Sequence, residues 1–281
     1  LAMCLKMWAV EVSVTAGGLS GAVTDKTITD LRVKGEIDVR DLSFIAEELP
    51  SLKTLDLSSA SVKAYSEGEA YFAGQTKFEA NALPEYCFLG KKYETVVLPS
   101  ALECIGTGAF AGCRALKQVV FPAALSEIGD YSFNSCDALV DVVIPASVKE
   151  IGTGAFSRSA GLKSADMRAL TAECVFEADI FSNCAALEKA VLSENMSSVP
   201  AGMFACCHSL SAVELKGNAS LESIGEEAFV STALTSFDFA SFTGLKVIGR
   251  WAFAGVRFEE VVLPESVRSV GEGAFFYNEA L

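Results

Sequence analysis

The chain has 281 residues, of which 51% are hydrophobic, enough to build a continuous core. Its 22 basic and 36 acidic residues leave a net charge of −14, a balance that repels nucleic acid and anionic membranes. No apolar run reaches the roughly 20 residues that span a bilayer, and a single histidine rules out His-rich metal sites and paired-His mechanisms within the chain.

Residues 1–9, Leu1-Ala2-Met3-Cys4-Leu5-Lys6-Met7-Trp8-Ala9, read either as the tail of a secretory signal cut after Ala9 or as an ordinary first strand. Cys4 loosely fits a lipid-acceptor context, against which stands the bulk of Met3. The chain stops at Leu281, where another strand is due, so both ends read as truncated.

Residues 10–51 form a cap. Val10, Val12 and Val14 alternate as a strand, Gly17-Gly18 turn the chain, and Ile28, Leu31 and Val33 anticipate Leu52, Leu55 and Leu57 by 24 residues. Asp41 is the expected N-cap of a short helix whose Leu42, Ile45, Ala46 and Leu49 fall on one face.

Residues 52–281 form a repeat array. Phe88, Phe110, Phe133, Phe156, Phe181, Phe204, Phe229, Phe253 and Phe275 recur at 22 to 25 residues. A second marker keeps the same register: Leu98, Phe121, Ile144, Met167, Leu192, Leu215, Phe239 and Leu263 each close a Leu-x-x-Val-x-Leu run. Such a period predicts a leucine-rich-repeat-like solenoid with one short parallel strand per rung and irregular turns on the convex side. Val and the closing Leu point inward and the residue between them outward. Pro99, Pro122, Pro145 and Pro264 end strands. Gly106, Gly129, Gly152, Gly225, Gly249 and Gly271 precede each Phe by four residues, where a positive φ would account for them. The Phe rings are expected to stack from rung to rung.

One rung is longer than the rest. About residues 58–82 carry 19 extra positions with Tyr65, Tyr71, Phe72 and Phe78. Such an insertion serves as a binding loop or packs back over the first rungs, and the aromatic content favours packing. Irregularity is also expected at residues 160–205, where Met167-Arg168 replaces Leu-Pro, Phe176-Glu177 and Val199-Pro200 replace Ile-Gly, and Ala165 and Ala190 shrink the inward Val.

The unit Leu-x-x-Val-x-Leu-Pro-x-x-Val-x-x-Ile-Gly-x-x-Ala-Phe-x-x-Cys, clearest from Val96 to Leu116, resembles the BspA-like leucine-rich repeats. The resemblance implies a secreted or cell-surface bacterial protein of a family in which some members adhere to host matrix proteins or other cells. It transfers no catalytic, cofactor or ligand-contact residue.

The residues themselves point away from catalysis. Cys206-Cys207-His208 suggests a metal or nucleophile site, yet Cys207 occupies the slot three residues after Phe held elsewhere by Cys113, Cys136, Ser159, Cys184, Thr232 and Val256, which fits a small buried residue. Stacked cysteines in parallel strands stay about 4.8 Å apart at Cβ, beyond the roughly 3.8 Å of a disulfide, so thiols are expected. Cys104, whose equivalents are Glu127 and Glu150, is expected to be exposed. Asp56, Asp166, Glu214 and Asp238 in the outward slot read as a solvated acidic face rather than a calcium site. The same slot holds Val97, Val120 and Val143 in consecutive rungs, flanked by Lys117, Gln118, Glu94 and Asp141. An apolar strip with a polar rim predicts a protein-binding surface, assisted by Tyr65, Tyr71 and Phe72 of the insertion. A scaffold or stalk without its own ligand is the alternative. No cofactor and no nucleic-acid partner is expected.

Overall fold

The computed structural model describes residues 10–215 and 220–281, so the expectations placed on Leu1–Ala9 and on Cys4 lie outside it. Strand β1 (Val10–Val14), helix α1 (Leu19–Ala22), strand β2 (Asp30–Ile37) and helix α2 (Val39–Glu48) build the cap. β1 pairs with β2 in parallel, Val12 opposite Val33. The N-cap of α2 is Asp38, three residues before the position expected from the pattern, and Asp41 completes a capping box from inside the first turn. The buried Asp41 carboxylate accepts from the backbone N–H of Gly17 (2.7 Å), Leu19 (2.9 Å) and Asp38 (3.0 Å), and so ties the first turn of α2 to the segment leading into α1.

Strand β3 (Thr54–Val62) pairs with β2, and its continuation closes the insertion through an antiparallel bridge between Tyr65 and Phe78. Beyond β4 (Ala82–Leu83) six rungs carry the expected three-residue strand and add a two-residue strand, and the last two described rungs keep only the two-residue strand. The six begin with β5 (Thr95–Val97) with β6 (Cys104–Ile105), β7 (Gln118–Val120) with β8 (Glu127–Ile128), and β9 (Asp141–Val143) with β10 (Glu150–Ile151). Then follow β11 (Ser164–Asp166) with β12 (Val175–Phe176), β13 (Lys189–Val191) with β14 (Ser198–Val199), and β15 (Ala212–Glu214) with β16 (Ser223–Ile224). β17 (Val247–Ile248) and β18 (Ser269–Val270) are two-residue strands. All strand pairs are parallel, as a solenoid requires.

The Phe column runs through the core as the spacing predicts. Neighbouring rings from Phe110 to Phe275 lie 5.1 to 5.8 Å apart and within 19° of parallel, and Phe88 joins the column at 5.4 Å with a 40° tilt. Offset stacks at this spacing add to the area that the rings bury.

The glycines four residues before Phe serve a different purpose from the one expected. None has a positive φ; instead, a Cβ on Gly129 would come within 2.8 Å of the Ile105 carbonyl oxygen, and one on Gly271 within 2.3 Å of the Arg250 nitrogen. Close approach of rung to rung excludes a side chain there. Positive φ falls two residues before and two after each Phe, for example at Gly108 and Gly112 or at Asp179 and Asn183. At those positions the N–H turns toward the following rung: Gly108 donates to Asp130 (2.8 Å) and Gly112 to Asn134 (2.7 Å).

Both sheets are interrupted. The three-residue strands form β1-β2-β3-β5-β7 and, separately, β9-β11-β13-β15. The two-residue strands form β4-β6-β8-β10-β12 and β14-β16-β17-β18. The second interruption falls within the stretch expected to be irregular. Elsewhere the residue after the two-residue strand donates its N–H to the previous rung, as Gly152 does to Ile128 (2.8 Å) and Glu177 to Ile151 (2.9 Å). Pro200 has no N–H to give to Phe176, so the ladder stops there. The three-residue strands pass through the same rungs without a break.

Candidate functional site

The outward slots of the three-residue strands line up as the register dictates. Glu11, Arg32, Asp56, Val97 and Val120 are successive neighbours, and Val143, Asp166, Val191 and Glu214 follow beyond the interruption. At the capped end this face is charged. Arg32 donates to Asp56 (2.7 Å) and Lys34 to Glu11 (2.6 Å). Asp56 is buried, which corrects the reading of it as part of a solvated face. Burial alone would raise its carboxyl, but hydrogen bonds from Ser58 and Arg32 outweigh that and hold it below the usual carboxylate range. Asp166 and Glu214 likewise have their own cations, Arg168 (2.9 Å) and Lys189 (2.6 Å). Among the described residues no group of three His, Cys, Asp or Glu side chains converges on a metal position.

Between these charged ends lies the valine strip. Val97 is half-buried, Val120 is 52% exposed and Val143 is 65% exposed. No backbone pairing joins β7 to β9, and a hollow of about 620 Å³ opens there, lined by Lys117, Gln118, Val120, Phe121, Asp141 and Val143 among others. Phe121 accounts for the break. It fills a closing position held by Leu98 and Ile144 in the flanking rungs, and its ring stands edge-on to Phe133 (5.6 Å) and Phe156 (6.4 Å). A ring of that size keeps the next strand out of register. Farther along, the sheet ends at β15, one rung before Phe239, and a hollow of about 410 Å³ opens between Val213 and Phe237.

Five predicted contact residues therefore converge on one hollow: Lys117, Gln118, Val120, Asp141 and Val143. Val97 extends the strip on β5, outside the hollow. Glu94 acts from behind the rim, held between Lys117 (2.7 Å) and Lys53 (3.2 Å), whose hydrogen bonds keep its carboxyl below the ordinary range. Asp141 accepts from the Ser164 hydroxyl. Phe121 and the 41% exposed Val140 belong to the same wall and escaped the sequence reading. The available signal was Phe at a closing position.

The insertion does not join this group. Tyr65 and Phe78 are buried with Val39 in a cluster of their own, with Tyr71 and Phe72 half-buried against it. Tyr65 meets Tyr71 edge-on at 5.7 Å and carries the Arg40 guanidinium 5.2 Å from its ring centre. The aromatics thus pack back over the start of α2, and Tyr65 has no surface left for a partner.

The cysteine–histidine motif dissolves into the repeat. Cys206 holds a left-handed position (φ 59°) and donates its N–H to Val230 (2.8 Å). The Cys207 thiol donates to the Phe181 carbonyl (3.1 Å), and exposed His208 donates from Nδ1 to Ser231 (3.0 Å). Cys113, Cys136 and Cys184 repeat the bond of Cys207, so in these four rungs the slot holds a donor as well as a small side chain. The eight described cysteines are thiols. Cys104, expected at the surface, is half-buried in β6, and burial, with Glu127 and Glu150 nearby, pushes its thiol up to about 12. A thiol so disfavoured as thiolate is a poor nucleophile.

Comparison with known proteins agrees with this architecture. The family model described as BspA type leucine rich repeat region matches in six copies over residues 81–175 and 174–281. A leucine-rich repeat protein from Bacteroides ovatus is 21% identical, with a TM-score of 0.53 over 96% of this chain and 81% of that one. Another from Eubacterium ventriosum is 15% identical, with a TM-score of 0.51 over 95% and 89%. At such identities the likeness is one of fold. A search of curated proteins finds no match, and the comparisons indicate no enzyme family. With its Phe column, parallel rungs and six matched copies, the chain belongs to the BspA-type leucine-rich repeat family.

Proposed function

We propose that the protein is a non-catalytic binding module displayed outside the bacterial cell, which engages a protein partner through the broken sheet face. One observation carries this reading: the exposed Val120 and Val143 face each other across an interrupted sheet, with Lys117, Gln118 and Asp141 on the rim. Apolar side chains around a hollow, bordered by polar groups, have the anatomy of an interface core and rim. Family resemblance supports the external location and the adhesive role. No described helix is long and apolar enough to cross a membrane.

Adhesion to a panel of purified host matrix proteins tests the proposal. Val120→Lys with Val143→Lys should abolish adhesion while circular dichroism and thermal midpoint stay unchanged, because both side chains point to solvent. Undiminished adhesion by the folded double variant would discard the sheet-face site. Failure of the wild-type chain to adhere to any protein would favour the alternative, a stalk that spaces another domain.

A further inference from the structure

The turn side of the rungs carries a second candidate surface, independent of the sheet face. The left-handed position two residues before Phe is glycine at Gly108, Gly154, Gly202 and Gly273, as a positive φ favours. At the same position Tyr86 has φ 57° and Tyr131 φ 52°. Left-handed backbone costs a residue with a large side chain about 1–2 kcal/mol. Asp179, Glu227 and Trp251 fill the same position in other rungs with positive φ, so the backbone strain is general to the repeat, and what sets Tyr86 and Tyr131 apart is their exposed aromatic rings.

Both rings lean along the solenoid over the next rung. A Cβ on Gly108 would lie 2.4 Å from Cδ1 and Cε1 of Tyr86, and one on Gly154 would lie 2.6 Å from Cε1 of Tyr131. The ring edge is thus seated against a glycine while much of each side chain remains in solvent, 41% for Tyr86 and 47% for Tyr131. Trp251 sits over Gly273 in the same manner, but the Arg250 guanidinium covers it at 5.0 Å. The two tyrosines carry no such cover.

Their spacing is set by the core. Phe88, Phe110 and Phe133, two residues after the left-handed positions of the three rungs concerned, are separated by 5.4 and 5.1 Å. Tyr86 and Tyr131 therefore stand two rung steps apart, with only Gly108 at the intervening position. An extended β-linked pyranose chain advances about one rung step per sugar, so alternate sugars would meet the two rings. The C–H faces of pyranose rings stack on aromatic rings, and their hydroxyl groups seek acceptors at the edges. Glu85 and the exposed Asp130 adjoin the two tyrosines, and Asp130 is fixed by the Thr153 N–H at 2.7 Å. The net charge of −14 disfavours acidic glycans.

We propose that Tyr86 and Tyr131 form a binding strip for a linear, neutral, β-linked glycan. Titration calorimetry of the full chain with cellohexaose, chitohexaose and maltohexaose tests this. At least one β-linked hexamer should bind, and more tightly than the coiled α-linked maltohexaose. Tyr86→Gly with Tyr131→Gly, which installs the residue of neighbouring rungs, should weaken binding by about tenfold or more. Tyr86→Phe with Tyr131→Phe should keep it, and Val120→Lys with Val143→Lys should leave it untouched. If the glycine pair fails to fold, Tyr86→Asn with Tyr131→Asn makes the same test, since Asn tolerates this conformation. Absence of binding by both β-linked hexamers at roughly 1 mM, or binding that survives removal of both rings in a folded variant, would overturn the proposal.

Discussion

The Cys136 thiol donates to the carbonyl oxygen of Phe110, 3.3 Å away in the preceding rung. Ser159 makes the same bond to Phe133 (2.9 Å) and Asn278 to Phe253 (3.0 Å), so a donor recurs at this position, although Val256 fills it without one. Cys136→Ser should therefore shift the urea midpoint little. Cys136→Val keeps the volume but loses the donor, and should cost about 1 kcal/mol.

Alkaline pH should weaken the fold through the same thiols. Burial pushes Cys113 and Cys184 up to about 12 from an ordinary value of 9.0. The unfolded chain then loses these protons at lower pH than the folded chain, so it binds fewer protons at high pH and stability falls as pH rises. The contribution is intact below pH 9 and is lost on approach to 12. Denaturation midpoints measured from pH 7 to 11 should decline less in a Cys113→Ser, Cys184→Ser variant than in the wild type.

Truncation of a central ring should be severe. Phe156 stacks between Phe133 at 5.2 Å and Phe181 at 5.4 Å and is fully buried. Phe156→Ala should cost about 3–5 kcal/mol in urea unfolding, through lost burial and the cavity left behind.

Two alanine substitutions separate the two kinds of glycine. Gly129→Ala drives a methyl group to 2.8 Å from backbone atoms of the previous rung, which should cost about 1–3 kcal/mol although its φ suits any residue. Gly112→Ala meets nothing nearer than 3.7 Å, and only its φ of 70° opposes it, by about 1 kcal/mol. Thermal unfolding of both variants would show Gly129→Ala as the more damaging.

Phe121→Leu should mend the interrupted sheet. With the smaller side chain of the flanking rungs at the closing position, β9 can pair with β7, so amide hydrogen exchange should slow along both strands. The hollow between Val120 and Val143 should narrow, and the adhesion proposed for it should weaken without loss of stability.

Much of this architecture was legible because it recurs. The spacing of Phe110, Phe133 and Phe156 established period, core and stacking, and alternation separated inward Val142 from outward Val143. The two-residue strands were not legible, since Glu127-Ile128 is too short to show a period. Glycine alone does not reveal whether it serves a positive φ, as Gly154 does, or a close approach, as Gly152 does. The candidate site was half-visible. Its valines follow from register, whereas the break that opens the hollow depends on how one ring, Phe121, fits between two others.

The interruptions in the two sheets never coincide. Where β7 and β9 part, β8 and β10 remain paired, and where the ladder stops at Pro200, β11, β13 and β15 run on. The joints are offset like those in brickwork, so no single plane cuts through every hydrogen-bonded course. Under a pull along its axis, the array should hold at the hollow about as firmly as elsewhere, so the recess opens without creating a tear line.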